Sequence, residues 1–581
     1  MFTRRCFHKV PERLQLDDFC IQSKAAQMQA ETTISPMPAT HEVLNQPPPL
    51  EGYNLYTSDP ILDAAVTREG AKGWRDQLVA YGEEVGSSEV FEWGFLANVN
   101  EPVLKTHDRY GRRVDRVEFH PSWHQLLELA VSNGLHSLPW EERSNGTGHV
   151  ARTALLYMSS QVEAGHFCPI SMTTSAVPAM RISPEISADW VPRILTRSYD
   201  SSFQPVDNKT GVLIGMGMTE KQGGSDVRAN TTRAVPANGE MEYSITGHKW
   251  FTSAPMCDAF LILAQAPGGL SCFLLPRWTP DGELNPFHIQ RLKDKLGNRS
   301  NASSEVEFQD TAAFLIGEEG RGIPTIIEMV NGTRLDCVTG SAALMRQALA
   351  QAAWHANHRH AFGGPLLDKP LMQNVLADLE IETSTASLMM IRLAAAFDRS
   401  ESDSFEAAFK RAALPIAKYW VTKQTTSVVR EAMECLGGNG YVEESILPRL
   451  FRESPLNAIW EGSGNVIALD FLRAARREPE AIDAFFEIIV HDAGDNRAVH
   501  EAVRQAKDSL TETSSPEASA RRIVEWLAKA WAGALANRSE DQDLVDAYSA
   551  SRLSEDHGMQ YGTLDPRLPI ERLARRAVPQ A

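Results

Sequence analysis

The 581-residue sequence predicts an α+β protein with an N-terminal helical domain, a middle β-barrel-like domain, a C-terminal helical bundle and a helical C-terminal extension. Changes in hydrophobic periodicity predict this order. Apolar residues recur at three- and four-residue spacings from about residue 57 to 200, alternate with polar residues from about 211 to 315, and return to helical spacing from about 323 to 475. A chain of this length also exceeds what one hydrophobic core supports, so it divides into domains.

Individual segments justify each element in turn. In the first region, residues 90–96 and 123–129 place apolar side chains on one helix face. In the β region, an Asn238-Gly239 turn precedes the alternating residues 241–245, and further strands are predicted at 259–264, 272–275 and 305–308. Later helices are predicted at 342–358, 371–397, 405–436 (kinked at Pro415) and 523–535, and the sequence beyond about 553 is irregular.

These patterns also predict the domain boundaries. We expect a disordered tail and linker at 1–47, an N-terminal α domain at 48–205, a β domain at 206–318, a C-terminal α-bundle domain at 319–475, and a helical extension and tail at 476–581. Residues 1–15 contain four basic residues and one acid, as organellar presequences do, but no clean cleavage signal follows. Two interpretations of residues 1–36 stay open: a targeting sequence, or a disordered or mis-started N-terminus.

The composition excludes several classes of protein. With 43% hydrophobic and 23% charged residues, the chain is neither fibrous nor wholly disordered, and no apolar run approaches the ~20 residues of a membrane span. Its net charge of −18 repels phosphate backbones, so nucleic acid is not the expected partner. The seven cysteines form no C-x-x-C pair, which predicts free thiols inside the cell, without distinguishing cytoplasm, mitochondrion and peroxisome.

Two stretches carry the first candidate binding residues. Residues 217–226 read Gly-Met-Thr-Glu-Lys-Gln-Gly-Gly-Ser-Asp, in which adjacent glycines let backbone N–H groups approach a phosphate while hydroxyls add hydrogen bonds. An ordinary glycine-rich loop is the alternative. Residues 249–253 read Lys-Trp-Phe-Thr-Ser, where Trp250 can cover a flat ring and Thr252 can bond its edge. The alternative is a tryptophan that only fills the core.

Two more stretches lie beside predicted helices. Residues 434–441 (Glu-Cys-Leu-Gly-Gly-Asn-Gly-Tyr) end a helix, for which a glycine cap is the alternative explanation. Residues 460–465 (Trp-Glu-Gly-Ser-Gly-Asn) place Glu461 between a large aromatic residue and a glycine. A partly desolvated Glu has a raised pKa, which suits a general base for a weak carbon acid. A helix-start carboxylate favoured by the helix dipole is the alternative.

Two groups of basic residues are not expected to bind a ligand. The histidines at 355, 358 and 360 lack a carboxylate or cysteine at a fitting spacing, so no metal site is predicted. Arg411, Lys418 and Lys423 are interpreted as a solvated helix face.

Together the four stretches resemble the acyl-CoA dehydrogenase superfamily. Residues 217–229 resemble its first signature and 434–453 its second, and the α, β, α order is that of its three-domain subunit. Residues 215–226, 291–303 and 459–465 are similar to the AidB-like branch, the DNA-alkylation-response flavoproteins. The resemblance covers about residues 41–475. It implies FAD, bound without a Rossmann fold across a subunit interface, and a homotetramer.

The resemblance also implies which residues bind FAD. Those matching contacts to the flavin and pyrophosphate are Met218, Thr219, Gly224 and Ser225, and those beside the isoalloxazine ring are Trp250 and Thr252. Those matching contacts to a neighbouring subunit's FAD are Arg359 at the pyrophosphate, Phe362 and Gln373 near the adenosine end, and Gly437 and Gly438 in a supporting loop. Glu434 replaces the family's usual Gln before that loop. Ser463 and Asn465 match positions that contact the adenine half.

Glu461 matches the catalytic base of most family members. The implied reaction transfers the pro-R α-proton of an acyl thioester to Glu461 while the β-hydride passes to flavin N5. The backbone N–H of Glu461 and a ribityl hydroxyl of FAD would polarise the thioester carbonyl. Some relatives carry the base on an earlier helix, just before an arginine. That position is Thr333 here, before Arg334, which leaves Glu461 as the expected base.

The resemblance leaves three functions open, of which we favour the first. This is an FAD-dependent acyl-CoA dehydrogenase, whose acyl chain and electron acceptor the sequence does not specify. The second is an AidB-like DNA-binding flavoprotein that protects against alkylation, with weak or vestigial dehydrogenase activity. Residues 471–581 contain 15 Lys and Arg against 19 Asp and Glu, so charge disfavours DNA as a partner. The third acts with flavin on a carrier-bound acyl group.

Overall fold

The computed structural model describes residues 40–237, 243–511, 515–554 and 558–580. Within these ranges the predicted order of helices, strands and helices is confirmed. The expectations about residues 1–36 and the Asn238-Gly239 turn lie outside the described residues.

The first part of the chain is mainly helical. Its helices are α1 (Pro60–Arg68), α2 (Arg75–Val85), α3 (Ser88–Val99), α4 (Pro121–Ser132), α5 (Gly148–Val162), α6 (Phe167–Met180) and α7 (Pro184–Ile194). Local chemistry sets where α1 begins, since the Asp59 carboxylate accepts from the Leu62 N–H and Pro60 occupies the first helical position. The antiparallel hairpin of β1 (Val103–His107) and β2 (Arg113–Glu118) was not predicted.

The middle part of the chain forms a closed β-sheet. Its strands are β3 (Ile214–Gly217), β4 (Arg233–Pro236), β5 (Tyr243–Ser253), β6 (Ala259–Ala266), β7 (Gly269–Pro276), β8 (Phe287–Leu292) and β9 (Ser303–Ile316). Hydrogen-bonded pairs run from β6 through β4, β5, β9 and β7 back to β6. β3 is added in parallel to β6, and β8 is antiparallel to β9. The β domain predicted from the alternating sequence, and the β-barrel-like form expected for it, are therefore confirmed.

Three long helices form the C-terminal bundle: α8 (Gly322–His358), α9 (Pro370–Arg399) and α10 (Ser404–Cys435). α10 continues through Pro415. A hairpin of β10 (His360–Ala361) and β11 (Gly364–Pro365) joins the first two helices, and α11 (Gly438–Tyr441), α12 (Leu447–Glu453) and α13 (Gly464–Arg477) follow the third. α6 packs closely on α8, because a Cβ added at Gly332 would lie 2.5 Å from Ser175 Oγ.

The C-terminal extension is more helical than predicted. It contains α14 (Pro479–Ala493), α15 (Arg497–Thr511), α16 (Pro516–Arg538), α17 (Gln542–Tyr548) and α18 (Ile570–Arg576). The expectation of an irregular tail beyond 553 holds for the described residues before 570 and is wrong for α18, which packs on α9 and buries Leu573. The described residues from Pro47 onwards form one compact unit, so the domain boundaries stay a prediction.

Ion pairs join this extension to earlier helices. Arg552 Nε lies 2.6 Å from Glu382 Oε1, and Arg576 Nε lies 2.9 Å from Glu380 Oε1, both carboxylates belonging to α9. Arg538 of α16 lies 2.7 Å from Glu69, which follows α1. Across the described ranges, no helix is long and apolar enough to cross a membrane.

Candidate active site

The glycine-rich loop after β3 is held against the end of β5. The Trp250 N–H donates to the Thr219 carbonyl at 2.8 Å, and Asn230 Nδ2 donates to the Met218 carbonyl at 2.9 Å. A Cβ added at Gly224 would lie 2.3 Å from Thr219 Oγ1, so the loop folds back directly onto that threonine. The structure thus brings together the residues of the loop and of β5 that were predicted to bind flavin, with Ser225 exposed at the rim.

A buried ion pair anchors the same loop to the barrel. Lys249 Nζ donates to Glu220 Oε1 at 2.9 Å and to the Leu263 carbonyl at 2.7 Å, and neither charged side chain is exposed. Although burial opposes its ionisation, the Lys249 ammonium and hydrogen bonds from Thr231 and Gln222 hold the pKa of Glu220 below its usual range. The sequence analysis missed this pair, whose signal was only a Glu within the loop and a Lys before Trp250.

Thr252 provides a direct test of whether a cofactor fits this place. Its side chain is 1% exposed, and its hydroxyl has no hydrogen-bond partner among the described residues. A buried hydroxyl without a partner is costly unless a bound group supplies one. Gly217 lies beside it, since a Cβ added there would be 3.4 Å from Thr252 Oγ1. A buried hydroxyl next to a glycine fits the polar edge of a flavin ring.

Glu461 lies on a strained turn immediately before α13. Its φ of 55° is in the left-handed region, which costs a non-glycine residue about 1–2 kcal/mol, and Gly462 follows with φ 103°. Lys418 of α10 donates to the carbonyls of Trp460 and Gly462, while Arg334 Nε of α8 donates to the Glu461 carbonyl at 3.1 Å. Two cations from different helices therefore clamp the backbone on both sides of the carboxylate.

The Lys418 position corrects the sequence interpretation. Lys418 was expected on a solvated helix face, but its side chain is buried at 1% exposure and burial lowers its pKa. Arg411 is paired with Asp470 and Glu478 rather than left free in solvent. The expectation failed because three basic residues at helical spacing carry no sign of what other segments place against them.

The Glu461 carboxylate has the environment of a base. Burial raises its pKa above the usual range of a glutamate, and this effect is partly offset by a hydrogen bond from Thr333 and by the charges of Lys418 and Arg334. Thr333 Oγ1 lies 2.8 Å from Glu461 Oε2 and 3.0 Å from the Val330 carbonyl. Thr333, the position at which some relatives carry the base, is thus a direct partner of the carboxylate here.

The residues predicted to reach a neighbouring subunit's cofactor form a further group. Phe362 stands at the tip of the β10–β11 hairpin with φ 50° and is 92% exposed. The Leu366 N–H donates to the Arg359 carbonyl at the base of the hairpin. Lys369 Nζ donates to the Phe362 carbonyl at the tip, so hydrogen bonds fix both the base and the tip. Gln373 lies in the first turn of α9, and Gly437 and Gly438 are exposed after α10.

Ser463 and Asn465 flank the first residue of α13. Asn465 Oδ1 accepts from Arg521 Nε of α16 at 2.8 Å. Sequence reasoning missed Arg521 because 56 residues separate the two partners. The Glu434 carboxylate is exposed and lies 3.9 Å from Arg430 on the same helix.

A closed β-barrel between helical domains, with a glycine-rich loop at one strand end and a clamped carboxylate before a helix, defines a flavoprotein of the acyl-CoA dehydrogenase type. Residues 45–201 match the adaptive response protein AidB N-terminal domain. Residues 215–311 match the acyl-CoA dehydrogenase middle domain, and residues 320–475 match its C-terminal domain. The chain belongs to the acyl-CoA dehydrogenase family, in its AidB-like branch, and this family uses FAD.

Individual relatives support this placement. The putative acyl-CoA dehydrogenase AidB of Escherichia coli K12 is 49% identical over 81% of this chain and 87% of its own length. The structure of Caenorhabditis elegans ACDH-11 in complex with C11-CoA superposes with a TM-score of 0.81 at 27% identity, over 91% of this chain and 96% of that one. An acyl-CoA dehydrogenase from Bacillus anthracis, complexed with FAD, shares the fold with a TM-score of 0.65 at 18% identity, over 86% and 89% of the chains.

Proposed function

We propose that this protein is an FAD-dependent acyl-CoA dehydrogenase that uses Glu461 as its catalytic base. The observation that carries the proposal is the Glu461 carboxylate, which has a raised pKa and is fixed by a clamped turn and a Thr333 hydrogen bond. Acyl-CoA as the substrate class is supported by the C. elegans relative, which was solved with C11-CoA.

Several residues of this chain would hold the cofactor. Met218, Thr219, Gly224 and Ser225 offer backbone groups and hydroxyls along one loop, and the unpaired Thr252 hydroxyl offers a hydrogen bond beside Trp250. FAD supplies a hydride acceptor for the β-carbon when it is bound. Glu461 accepts the α-proton, and the two electrons of that C–H bond form the new carbon–carbon double bond. The backbone N–H of Glu461 would donate to the thioester oxygen, which acidifies the α-carbon.

Thr333 supports Glu461 in both of its protonation states. The threonine hydroxyl has one proton and two acceptors within reach, Glu461 Oε2 and the Val330 carbonyl. While Glu461 is charged, Thr333 donates to the carboxylate. Once Glu461 has taken the substrate proton, the hydroxyl turns to Val330 and accepts from the protonated acid. The base therefore keeps a partner throughout the proton transfer.

We also propose a homotetramer in which Arg359 contacts the FAD pyrophosphate of a neighbouring subunit. The exposed Phe362 at the hairpin tip supports this, because a 92% exposed aromatic side chain on a braced hairpin is suited to packing against another surface. Gln373, Gly437 and Gly438 would lie near the same neighbouring FAD.

Anaerobic bleaching of the purified flavoprotein by short, branched and long acyl-CoAs tests the function. Rapid loss of the oxidised flavin band with one class is the expected result, and it also names the substrate range. A flavin that stays oxidised with every thioester would contradict the dehydrogenase assignment and favour DNA or a carrier-bound acyl group.

The rate of bleaching should depend on pH through Glu461. Only the charged carboxylate accepts a proton, so the rate should fall as the pH drops through the Glu461 pKa, which lies above the ordinary value of about 4.3. Thr333→Val removes the hydrogen bond that lowers the Glu461 pKa, so the fall in bleaching rate should occur at a higher pH than in the wild type. Thr333→Ser should keep the wild-type profile. Stopped-flow bleaching across a pH series checks this. A pH dependence in Thr333→Val that equals that of the wild type would show that Thr333 does not affect the Glu461 pKa.

The DNA-binding alternative finds little support in the described part of the extension. Its arginines at the C-terminal end are paired with carboxylates: Arg552 with Asp378 and Glu382, Arg572 with Asp543, Arg575 with Asp368 and Glu571, and Arg576 with Glu380 and Asp541. An arginine already neutralised by a carboxylate releases few counterions when it approaches a phosphate.

Duplex DNA should accordingly bind weakly and with a shallow dependence on salt. We expect a slope of log Kd against log salt that corresponds to only one or two phosphate contacts, since each contact contributes about 0.9 to the slope. Fluorescence anisotropy of a labelled duplex between low and moderate salt measures it. Tight binding that collapses steeply over this range would instead establish an extensive phosphate-binding face.

A further inference from the structure

The C-terminal extension reaches the place predicted to hold the adenine half of FAD. Arg521, near the start of α16, donates from Nε to Asn465 Oδ1 at 2.8 Å. The matched acyl-CoA dehydrogenase C-terminal domain ends at residue 475, so Arg521 lies outside every matched family domain. An arginine that bonds through Nε leaves its two terminal nitrogens available for a second group.

Lys423 of α10 lies beside the same residues as Arg521. A Cβ added at Gly464 would lie 3.1 Å from Lys423 Nζ and 3.5 Å from Arg521 Nη2, so both charged groups adjoin this glycine. Burial and, after it, the nearby Arg521 charge lower the pKa of Lys423, as is expected where two cations lie close together. Within the described ranges neither forms an ion pair with a carboxylate. Two converging cations are stabilised when an anion lies between them.

Arg521 differs from several other arginines of the extension in having no carboxylate partner among the described residues. Arg538, Arg552 and Arg576 are committed to carboxylates, and they join the extension to α9 and to the end of α1. Arg521 instead bonds a neutral carboxamide, which leaves its positive charge uncompensated by the protein. Its exposed side chain contributes little burial, so packing does not account for its placement.

We propose that Arg521 and Lys423 bind the phosphate groups of FAD, so that the C-terminal extension completes the cofactor site. The proposal rests on the assignment of Ser463 and Asn465 to FAD. Arg521 would orient the Asn465 carboxamide through Nε and meet a phosphate oxygen through its terminal nitrogens, while Lys423 neutralises the second charge. The extension thereby acts in cofactor retention and not only in packing.

FAD affinity of the apoprotein provides the test. We expect Arg521→Ala and Arg521→Gln to weaken FAD binding about tenfold each, as loss of one charge-assisted hydrogen bond does, and Lys423→Ala to act similarly. Flavin fluorescence quenching on titration into apoprotein measures Kd. Arg522→Ala is the matched control, since Arg522 is the exposed adjacent residue in the same helix, and it should bind FAD as the wild type does.

Riboflavin carries the same ring system as FAD but has no phosphates. Its binding therefore distinguishes loss of a phosphate contact from distortion of the whole site. Its affinity should be equal in wild type and in every Arg521 variant. FAD binding that is unchanged in Arg521→Ala and Arg521→Gln would overturn the proposal, and so would an equal loss for riboflavin and FAD, which would indicate a distorted site. The titration uses no thioester, so failure of the dehydrogenase assignment would leave its result interpretable.

Discussion

Glu461→Gln is expected to bind FAD normally and to lose reduction by substrate. Glutamine has the size of glutamate and still accepts from the Thr333 hydroxyl, so the clamped turn should keep its shape. It cannot take the α-proton, and loss of a general base costs about 10²–10⁴-fold in rate. Anaerobic stopped-flow bleaching with the substrate found in the acyl-CoA panel measures this loss, and the FAD Kd confirms that the cofactor is retained.

Glu434→Gln is the control for that variant. Glu434 also belongs to one of the predicted signatures, in the last turn of α10, but it is exposed and is paired with Arg430 at 3.9 Å. We expect its bleaching rate to equal that of the wild type. Equal rates for Glu461→Gln and wild type would remove Glu461 from the reaction. Equal losses in both variants would indicate a general effect of removing negative charge.

Arg552→Met is expected to be the most destabilising change in the extension. Arg552 lies between Asp378 and Glu382 of α9, and the three side chains are 13%, 4% and 6% exposed. Removing the cation leaves two buried carboxylates without their charge partner, which typically costs about 3–5 kcal/mol. Urea unfolding followed by circular dichroism measures the loss.

Two further variants define the cause of that loss. Arg567→Ala removes an arginine whose pair with Asp565 is exposed to solvent, so unfolding should be unchanged. Adding Asp378→Asn and Glu382→Gln to Arg552→Met should recover much of the stability, because no buried charge then lacks a partner. A wild-type unfolding midpoint for Arg552→Met would show that the pairing contributes nothing net.

The sequence predicted those elements whose hydrophobic pattern is strong. α8, α9 and α10 have long 3.6-residue periodicity, and β6 and β7 are nearly continuous apolar runs, so each was located within a few residues except for the early start of α8. The β1–β2 hairpin was not predicted, because Lys105, Arg113 and Asp115 interrupt the alternation of apolar residues in its strands. α18 is too short to show a period.

The site was predictable to the extent that motifs are local. Gly224, Thr252 and Glu461 stand in short stretches with a recognisable order, and their roles remain predictions. Lys418 and Arg521 could not be found in this way. Lys418 reaches carbonyls 42 and 44 residues further along the chain, and Arg521 reaches an amide 56 residues before it. These partners come together only in the folded chain, so no local sequence pattern indicates them.

The pairing of α9 with the extension has a consequence for how the chain is made. Glu380 meets its partner Arg576 across 196 residues, and Glu382 meets Arg552 across 170. A ribosome adds about 5–20 residues per second, so for roughly 10–40 seconds these α9 carboxylates emerge without their cations. The α9 end of each pair is therefore made well before its partner, and these contacts form only after the extension has been synthesised.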